Sequence, residues 1–317
     1  MKNMKKLLCM LLALSMVLAL CACGSSTEEA ATTTEAPAEE AAATEAPAEE
    51  AAEEVDYSAM SLDELKAVLT TVTEGKLTVA TSPDFAPYEF YAIGEDGTPQ
   101  LAGFDIALAG YIADYLGLEL EVIPVDFDGV LNELAAGNVD LGMAGLSPDP
   151  TRMDAMDFSD IYYQGGQSFV TVQDKVDLFP DLESANNPEY SIGAQNGSIQ
   201  MDLANEYTPD ADIIALVKVT DIIAELMGDK LDGAFIETAV AENYAVNYPE
   251  LAVILDVPYD VEGSSVGVVK GNAALLAGVN MAIAAAIEDG SMDTFVAEAN
   301  ELSTGEIIEG LLDDQAA

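Results

Sequence analysis

The chain has 317 residues, half of them hydrophobic, and a formal net charge of -48 from 10 basic and 58 acidic residues. It contains no histidine, and its three cysteines, Cys9, Cys21 and Cys23, all lie near the N-terminus. This charge balance excludes a nucleic-acid binder, which needs a cationic face to displace counterions. Beyond Cys23 the composition also excludes thiolate or imidazole nucleophiles, Cys/His zinc sites and disulfides, so we expect no metal and no cofactor.

The first 22 residues have the pattern of a bacterial lipoprotein signal peptide. A basic segment, residues 1–6, precedes an apolar run, residues 7–20, that is shorter than the roughly 20 residues of a spanning helix. Residues 20–23 resemble the lipobox, in which a small residue precedes a cysteine that is diacylated. Because Ala22 is small, we predict cleavage before Cys23, lipidation of that cysteine and a secreted, membrane-anchored protein. The alternative is an ordinary secretory signal cut nearby.

Residues 23–56 are predicted to be an acidic tether. They contain a ten-residue repeat of Thr, Glu, Ala and Pro, and no large apolar side chain precedes Val55. Such a segment cannot form a core, and its like charges repel one another. We therefore expect a flexible leash, with a typical span on the order of 30 Å, between a lipid anchor and a folded domain.

From residue 61 onward the sequence alternates predicted helices and strands. A capping box formed by Ser61 and Glu64 opens a helix that runs to about residue 72. Strands are predicted at 77–81, 118–124, 139–143, 168–172, 190–194, 213–217, 233–236, 252–256 and 265–269. Helices are predicted at 104–116, 127–136, 198–206, 221–228, 238–248 and 273–289. The alternation favours an α/β fold with mainly parallel sheets, and a polar stretch without helical pattern, 173–187, indicates two α/β blocks joined near residue 170.

Arg152 is the one arginine in the whole sequence. It follows the predicted strand at 139–143 and a turn of small residues, and Asp149 and Pro150 suit the N-cap and first position of a helix. Backbone N–H groups and a forked cation directed at one spot are typical of a site for a small carboxylate. The alternative is a surface arginine that pairs with one of the many acids.

Four segments in order resemble the polar-amino-acid-binding family of ABC-transporter solute receptors. They are VATSPDFAPYEF at 79–90, LAGFDI at 101–106, NVDLGMAGLS at 138–147 with Arg152, and MDFSDIYY at 156–163. The resemblance covers about residues 77–302. It implies the type II periplasmic-binding fold, in which two α/β lobes joined by a two-strand hinge close around an amino acid.

The resemblance also implies a domain organisation and a set of partners. We expect a signal peptide at 1–22, the tether at 23–56, a first lobe at 57–170 plus 262–302, a second lobe at 171–261 and a tail at 303–317. The partners are a free amino acid, an ABC permease with its ATPase, and the membrane through the lipid anchor. The protein itself is expected to be a monomer.

For the two ends of an amino-acid ligand, the resemblance implies specific residues. Arg152 matches the arginine that clamps the ligand carboxylate, helped by backbone N–H groups around Ser147 and, from the other lobe, of Ser198 and Ile199. Glu237 stands where the family has an aspartate that holds the α-ammonium. The carbonyl of Ala144, next to Gly145, is a second acceptor for the ammonium.

The ligand side chain is predicted to meet aromatic and neutral polar groups. Phe85 and Phe127 match the aromatic walls of the family's site, and Gln195 and Gln200 offer neutral hydrogen bonds. Ser82 stands where receptors for cationic amino acids carry an acid. We therefore expect a polar uncharged or an aromatic amino acid rather than a cationic one. In an unrelated fold the two aromatic residues would be ordinary core residues.

Two other functions fit the same sequence. One is a dehydratase-like enzyme on this fold, which acts on a cyclic prephenate-like acid with Glu237 as general acid. The other is a ligand-sensing receptor module that signals through another polypeptide. The tether favours a non-enzymatic lipoprotein that serves transport over a soluble enzyme.

Overall fold

The computed structural model describes residues 55–94, 97–260 and 263–304. The predicted signal peptide, Cys23 and most of the predicted tether lie outside the described residues, as does the predicted tail after residue 304. The described residues belong to one compact unit.

The described chain alternates strands and helices. In chain order the strands are β1 (Lys76–Thr81), β2 (Asp84–Phe85), β3 (Glu89–Ile93), β4 (Pro99–Ala102), β5 (Glu119–Pro124), β6 (Leu141–Gly142), β7 (Met156–Tyr163), β8 (Gln167–Val172), β9 (Ser191–Gln195), β10 (Asp212–Leu216), β11 (Gly233–Glu237), β12 (Leu251–Val257) and β13 (Ser264–Val269). The helices are α1 (Leu62–Val68), α2 (Phe104–Leu116), α3 (Phe127–Ala135), α4 (Leu182–Ala185), α5 (Ile199–Tyr207), α6 (Val219–Met227), α7 (Thr238–Asn247), α8 (Ala273–Glu288) and α9 (Ser291–Ser303). Short 3-10 helices cover Tyr57–Ala59, Pro150–Arg152 and Gln173–Leu178.

Two five-stranded sheets form the centre of the fold. The strand orders are β5-β1-β6-β13-β7 and β10-β9-β11-β8-β12. In the first sheet β1 pairs in parallel with β5 and β6, and β13 runs antiparallel to β6 and β7. In the second sheet β9 pairs in parallel with β10 and β11, and β8 runs antiparallel to β11 and β12. Each sheet is thus mainly parallel at one side and closed at the other by antiparallel strands.

The chain passes between the two sheets twice. It leaves the first sheet after β7, enters the second through residues 164–166, and returns between β12 and β13. We call the elements around the first sheet lobe 1 and those around the second sheet lobe 2. Since β8 pairs with β11 and β12, the first passage lies at 164–166, a few residues before the predicted break at residue 170.

The apolar pattern of the central strands explains their position. Leu77, Val79 and Ala80 of β1 are fully buried, and all five residues of β11 are buried. Parallel strands with helices on both faces have no solvent side, so they are continuous apolar runs rather than alternating ones. The carboxyl ends of β1, β6, β9 and β11 carry the loops that the sequence assigns to ligand binding, as expected for ligand sites of open α/β sheets.

Local signals in the sequence set most helix ends. Ser61 and Glu64 form the predicted capping box at the start of α1. Gly117, at the C-cap of α2, has a φ of 75°, a left-handed conformation that glycine adopts without strain. Asp149 caps the segment after β6 by accepting a hydrogen bond from Thr151, but the helix it caps is a single 3-10 turn, Pro150–Arg152.

Several elements differ from the sequence-based expectation. The predicted strand at 139–143 is reduced to Leu141–Gly142, and the neighbouring Asp140 carboxylate accepts hydrogen bonds from the Thr78 and Val72 N–H groups. The region 173–187 is not without helix: it holds a 3-10 helix and α4. The antiparallel sheet β2-β3-β4 and helix α9 have no counterpart among the predicted elements. Met292 and Ala299 of α9 are buried at helical spacing, a signal present in the sequence.

Within the described part of the chain, no single helix is long and apolar enough to cross a membrane. Taken together, α8 and α9 have the length and apolar composition of a membrane span, but the two helices meet at a bend of 78°.

Gly103 and Gly110 offer a matched pair of substitutions around α2. Gly103 has a φ of 120°, and a Cβ there would lie 2.1 Å from the carbonyl oxygen of Tyr88, whereas a Cβ at Gly110 meets nothing within 4 Å. Gly103→Ala should lower the free energy of unfolding by at least about 2 kcal/mol through strain. Gly110→Ala should raise it by about 0.5–1 kcal/mol. Urea unfolding measures both, and equal stability of the two variants would contradict this placement of Gly103.

Candidate functional site

Arg152 connects the two lobes. Its Nη2 atom donates to the carbonyl oxygen of Gly197 in lobe 2 at 3.1 Å, and its guanidinium carbon lies 5.7 Å from the ring centroid of Phe127 in lobe 1. Its Nη1 atom is buried and has no hydrogen-bond partner among the described residues. Burial lowers the pKa of this guanidinium, although Asp149 and Asp202 oppose the shift. The group remains a cation, and its Nη1 atom is available to an anionic group.

The carboxylate of Asp149, close to Arg152, is occupied by hydrogen bonds from other residues of the protein. One carboxylate oxygen accepts from the Thr151 N–H at 2.7 Å, and the other from the Tyr259 hydroxyl at 3.0 Å. Burial opposes ionisation, but these hydrogen bonds outweigh it and lower the pKa of Asp149. Because donors of the protein surround both oxygens, this acid sits beside Arg152 without occupying the free Nη1 atom.

Lobe 2 brings the start of α5 to this place. The Ser198 hydroxyl caps the helix at the Met201 N–H and donates to the Gln195 carbonyl at 2.7 Å. The Ser198 N–H, predicted to hold the ligand, donates to the same carbonyl at 3.3 Å. Ile199 is the first helical residue, so its N–H lies at the positive end of the helix. Asn196, just before, hydrogen-bonds to Asp128 of lobe 1.

The predicted glutamines are buried and already have partners. Gln200 donates from Nε2 to the Gln167 side chain at 2.8 Å. Gln195 donates from Nε2 to the Val217 carbonyl at 3.0 Å and to the Asp84 carboxylate at 3.3 Å. These amides therefore shape the wall of the cleft, and each retains hydrogen-bonding capacity in its remaining atoms.

Lobe 1 supplies an aromatic wall. Phe85 lies so close to Gly145 that a Cβ on that glycine would come within 2.8 Å of the ring, and the φ of Gly145 is 58°. The Gly145 N–H donates to the buried Asp105 carboxylate at 3.1 Å. Phe85 is also 5.4 Å from the ring of Tyr88. Ala144 and Ser147, in the same turn as Gly145, are buried.

Glu237 lies where the chain crosses between the lobes. Its Oε2 atom accepts from the Val240 N–H at 2.9 Å and caps α7, and its Oε1 atom accepts from the Tyr88 hydroxyl at 3.1 Å. A Cβ at Gly165, in the crossing segment, would lie 2.6 Å from Oε1. Burial raises the pKa of Glu237 to about 7. Glu237 is thus connected through Tyr88 to Phe85, and its role toward a ligand stays a prediction.

Asp84 is a charged residue of this region that the sequence patterns did not reveal. Ser82 donates to one of its carboxylate oxygens at 2.9 Å, and the Val219 N–H of lobe 2 donates to the other at 2.7 Å. Only 6% of Asp84 is exposed, and burial raises its pKa to about 6. The sequence analysis considered Ser82 alone and did not include this neighbouring acid, to which Ser82 donates a hydrogen bond. One signal in the sequence could have indicated a buried acid here: Asp84 lies within the largely apolar segment that follows β1.

Most of the predicted site residues are buried between or beside the lobes. Two separate groups emerge from the contacts: Arg152 with Phe127 and Gly197, and Glu237 with Tyr88 and Phe85. Two mixed sheets, each with two parallel and two antiparallel strand pairs where mainly parallel sheets were expected, are linked by two crossing segments. Together with the buried polar groups that meet between them, they define a two-lobed solute-binding protein with a type II periplasmic-binding fold.

Comparison with known proteins gives the family. The model of the bacterial extracellular solute-binding proteins, family 3, matches residues 77–298, and the chain belongs to this family. This confirms the resemblance that the four sequence segments indicated, and the fold that it implied.

Similar proteins include binding proteins and an enzyme. The arginine-binding extracellular protein of Bacillus subtilis is 33% identical over 196 residues, which cover 60% of this chain and 73% of that protein. An amino acid ABC transporter substrate-binding protein of Streptococcus pneumoniae, crystallised with L-arginine, gives a TM-score of 0.71 at 30% identity and covers 77% of this chain and 100% of that chain. The cyclohexadienyl dehydratase of Pseudomonas aeruginosa is 27% identical over 198 residues, 62% of this chain and 72% of the enzyme. The chain is an extracellular solute-binding protein, the class that contains the substrate-binding components of amino-acid ABC transporters.

The buried carboxyl groups predict how stability depends on pH. Glu237 and Asp84 have pKa values raised to about 7 and about 6, above those of an unfolded chain, which are about 4. The folded state therefore binds more protons than the unfolded state in this range, so the free energy of unfolding falls as the pH rises from about 5 to 8.

Glu237→Gln should reduce the fall in the free energy of unfolding across this pH range by on the order of 2 kcal/mol. The reason is that the substitution removes a carboxyl group whose pKa is raised to about 7 in the wild type. Glu242→Gln, on the exposed face of α7, removes the same charge and serves as the control. Urea unfolding at pH 5, 6, 7 and 8 gives the comparison. Parallel profiles for wild type and Glu237→Gln would contradict the buried setting of this carboxyl.

Proposed function

We propose that this protein is the substrate-binding component of an amino-acid ABC importer. It captures a free amino acid between its lobes and delivers it to a membrane permease with its ATPase. The observation that carries this proposal is the buried Nη1 atom of Arg152, which has no hydrogen-bond partner among the residues described. A buried donor left in this way costs about 1–3 kcal/mol, which a ligand carboxylate recovers.

The carboxylate of the ligand lies, in this proposal, between Arg152 and the first turn of α5. The Ile199 N–H and the positive end of that helix favour an anion. Ser147 contributes from the turn after β6, while Phe127 lies behind the guanidinium and limits its motion. Both lobes contribute to this end of the ligand, so ligand binding stabilises the closed arrangement.

The α-ammonium is assigned to Glu237 and to the Ala144 carbonyl. Glu237 is buried and has a pKa of about 7, so a nearby ammonium would shift it toward the ionised form. Phe85 packs on Gly145 and forms the wall beside this end. The ammonium and the carboxylate thus meet opposite charges on opposite sides of the cleft, as a zwitterion requires.

For the ligand side chain we propose a cationic amino acid, with L-arginine first. The sequence-based expectation of a polar uncharged or aromatic ligand depends on Ser82, which stands where receptors for cationic amino acids carry an acid, and the named relatives do not support that preference. The B. subtilis relative is named as arginine-binding, and the S. pneumoniae relative was crystallised with L-arginine. The net charge of -48 also attracts a cation at long range.

Arg152→Ala should weaken ligand binding by roughly 100-fold or more, about 2.7 kcal/mol, because the ligand carboxylate loses its buried partner. Arg152→Lys should recover part of this loss, since a lysine keeps the charge but not the fork. Titration calorimetry with L-arginine, and with L-glutamine as the uncharged comparison, measures both. Lys270→Ala is the control, because Lys270 pairs with Asp157 inside lobe 1. An unchanged dissociation constant for Arg152→Ala would overturn the assignment.

A dehydratase is the second candidate, and the observation in its favour is the buried Glu237 carboxyl, whose pKa of about 7 suits a general acid. The P. aeruginosa relative is named as such an enzyme. We propose binding without catalysis for this chain. The discriminating assay follows the absorbance of a cyclohexadienyl acid with the purified protein, and turnover that Glu237→Gln abolishes would establish the enzyme.

We also propose that the protein is lipid-anchored through Cys23, with residues 24–56 as a tether on the outer side of the cell membrane. The lipobox-like sequence and the acidic repeat support this proposal. Cells that express the full chain should incorporate labelled palmitate into the protein, and Cys23→Ala should lose the label. Cys21→Ala should keep it, because Leu20 is a poor residue at the preceding position. Equal labelling of the Cys23→Ala variant would exclude this anchor.

A further inference from the structure

Asp84 of lobe 1 lies at the start of helix α6 in lobe 2. The helix begins at Val219, and the residue before it is Lys218, whose side chain carries donors only and so cannot cap a helix N-terminus. The Asp84 carboxylate takes that position instead: its Oδ2 atom accepts the Val219 N–H at 2.7 Å. A carboxylate at this position satisfies an N–H without an intrahelical partner and complements the positive end of the helix.

Two further groups of lobe 2 contact the same residue. The Gln195 side chain, at the end of β9, donates to Oδ2 at 3.3 Å, and the Tyr244 hydroxyl, on α7, donates to the Asp84 carbonyl oxygen at 3.3 Å. Within lobe 1, Ser82 donates to Oδ1 at 2.9 Å and fixes the carboxylate. Three elements of lobe 2 therefore converge on a single residue of lobe 1.

These contacts depend on the relative position of the lobes. Asp84 lies on β2, and its partners belong to elements that join lobe 1 through the crossing segments. A rotation that separates the lobes moves Val219, Gln195 and Tyr244 away from Asp84 together. The carboxylate would then return to water, and the start of α6 would lose its cap.

We propose that Asp84 is a positioning residue for closure, a cross-lobe N-cap that stabilises the closed form of the protein. The role of Asp84 in transport rests on the proposed function, whereas the hydrogen bonds between the lobes do not. Both carboxylate oxygens are used by protein donors, so Asp84 acts by holding the lobes together rather than by contacting the ligand side chain. Its contribution is therefore the same for every amino acid that the cleft accepts.

A bond made only in the closed form has a distinct kinetic signature. Its loss shifts the population toward the open form, and the ligand leaves faster, while the encounter rate changes little. A residue that contacts a cationic side chain behaves differently, because its loss weakens arginine binding and spares glutamine binding.

The test compares Asp84→Ala and Asp84→Asn with wild type. Asp84→Ala should raise the dissociation constants of L-arginine and L-glutamine by the same factor, roughly tenfold, through faster dissociation in stopped-flow measurements. Asp84→Asn should recover most of the affinity, because asparagine caps helices about as well as aspartate. Asp157→Asn is the control for a general loss of stability, since its partners Lys270 and Gly271 both belong to lobe 1.

Small-angle X-ray scattering of the ligand-free proteins gives a readout that needs no ligand. Asp84→Ala should have a larger radius of gyration than wild type, and Asp157→Asn should not. A loss confined to arginine, unchanged binding by Asp84→Ala, or equal radii of gyration would each overturn the proposal. If the wild-type protein binds no amino acid, the proposed function fails. The scattering comparison of the ligand-free proteins would still show whether Asp84 stabilises the closed form.

Discussion

The guanidinium of Arg152 joins the turn after β6 to the start of α5 in the opposite lobe, and the rest of the cleft is arranged around that contact. A cation that is partly buried needs anionic or dipolar partners, and here the Gly197 carbonyl and the Phe127 ring satisfy one side of it. The buried Nη1 atom has no hydrogen-bond partner among the residues that the structure describes. Because Asp149 is held by Thr151 and Tyr259, that atom is available to the ligand carboxylate in the proposed function.

Three buried carboxyl groups hold other backbone turns and helix starts in place. Glu237 caps α7, Asp84 caps α6 across the lobes, and Asp105 holds the Gly145 turn, each by accepting a backbone N–H. Burial raises the pKa of all three, so each is held in place by hydrogen bonds that offset part of the cost of desolvation. In the proposed function, Arg152 and Glu237 would bind the two charged ends of a zwitterion.

Closure and ligand contact are linked through the crossing segments. Glu237 lies directly against Gly165, where a side chain would collide with its carboxylate, so the assigned partner of the ammonium and the first crossing segment occupy the same space. Tyr88 connects Glu237 to Ser264, at the start of the strand that completes the second crossing. In the proposed function, a ligand ammonium at Glu237 would therefore act close to the crossing segments that join the lobes.

Short-range patterns in the sequence determined much of this protein. The capping box at Ser61, the glycine after α2 and the apolar runs of the central strands predicted these elements within a few residues, because the signals are local. The single arginine of an acidic chain, placed after a strand and a turn of small residues, led to the prediction of a carboxylate site at Arg152, and that role stays a prediction.

Tertiary structure decided what depends on residues far apart in the chain. The two-residue strand β2 has too few residues for a pattern, and the place of β8 in the second sheet follows from its pairing with β11 and β12. Asp84 and Val219 are 135 positions apart, so no local rule connects an acid in one lobe to the uncapped start of a helix in the other. Hydrogen bonds between distant segments carry no periodic signal in the sequence. They place the Asp84 carboxylate at the start of α6 and both oxygens of Glu237 against protein partners.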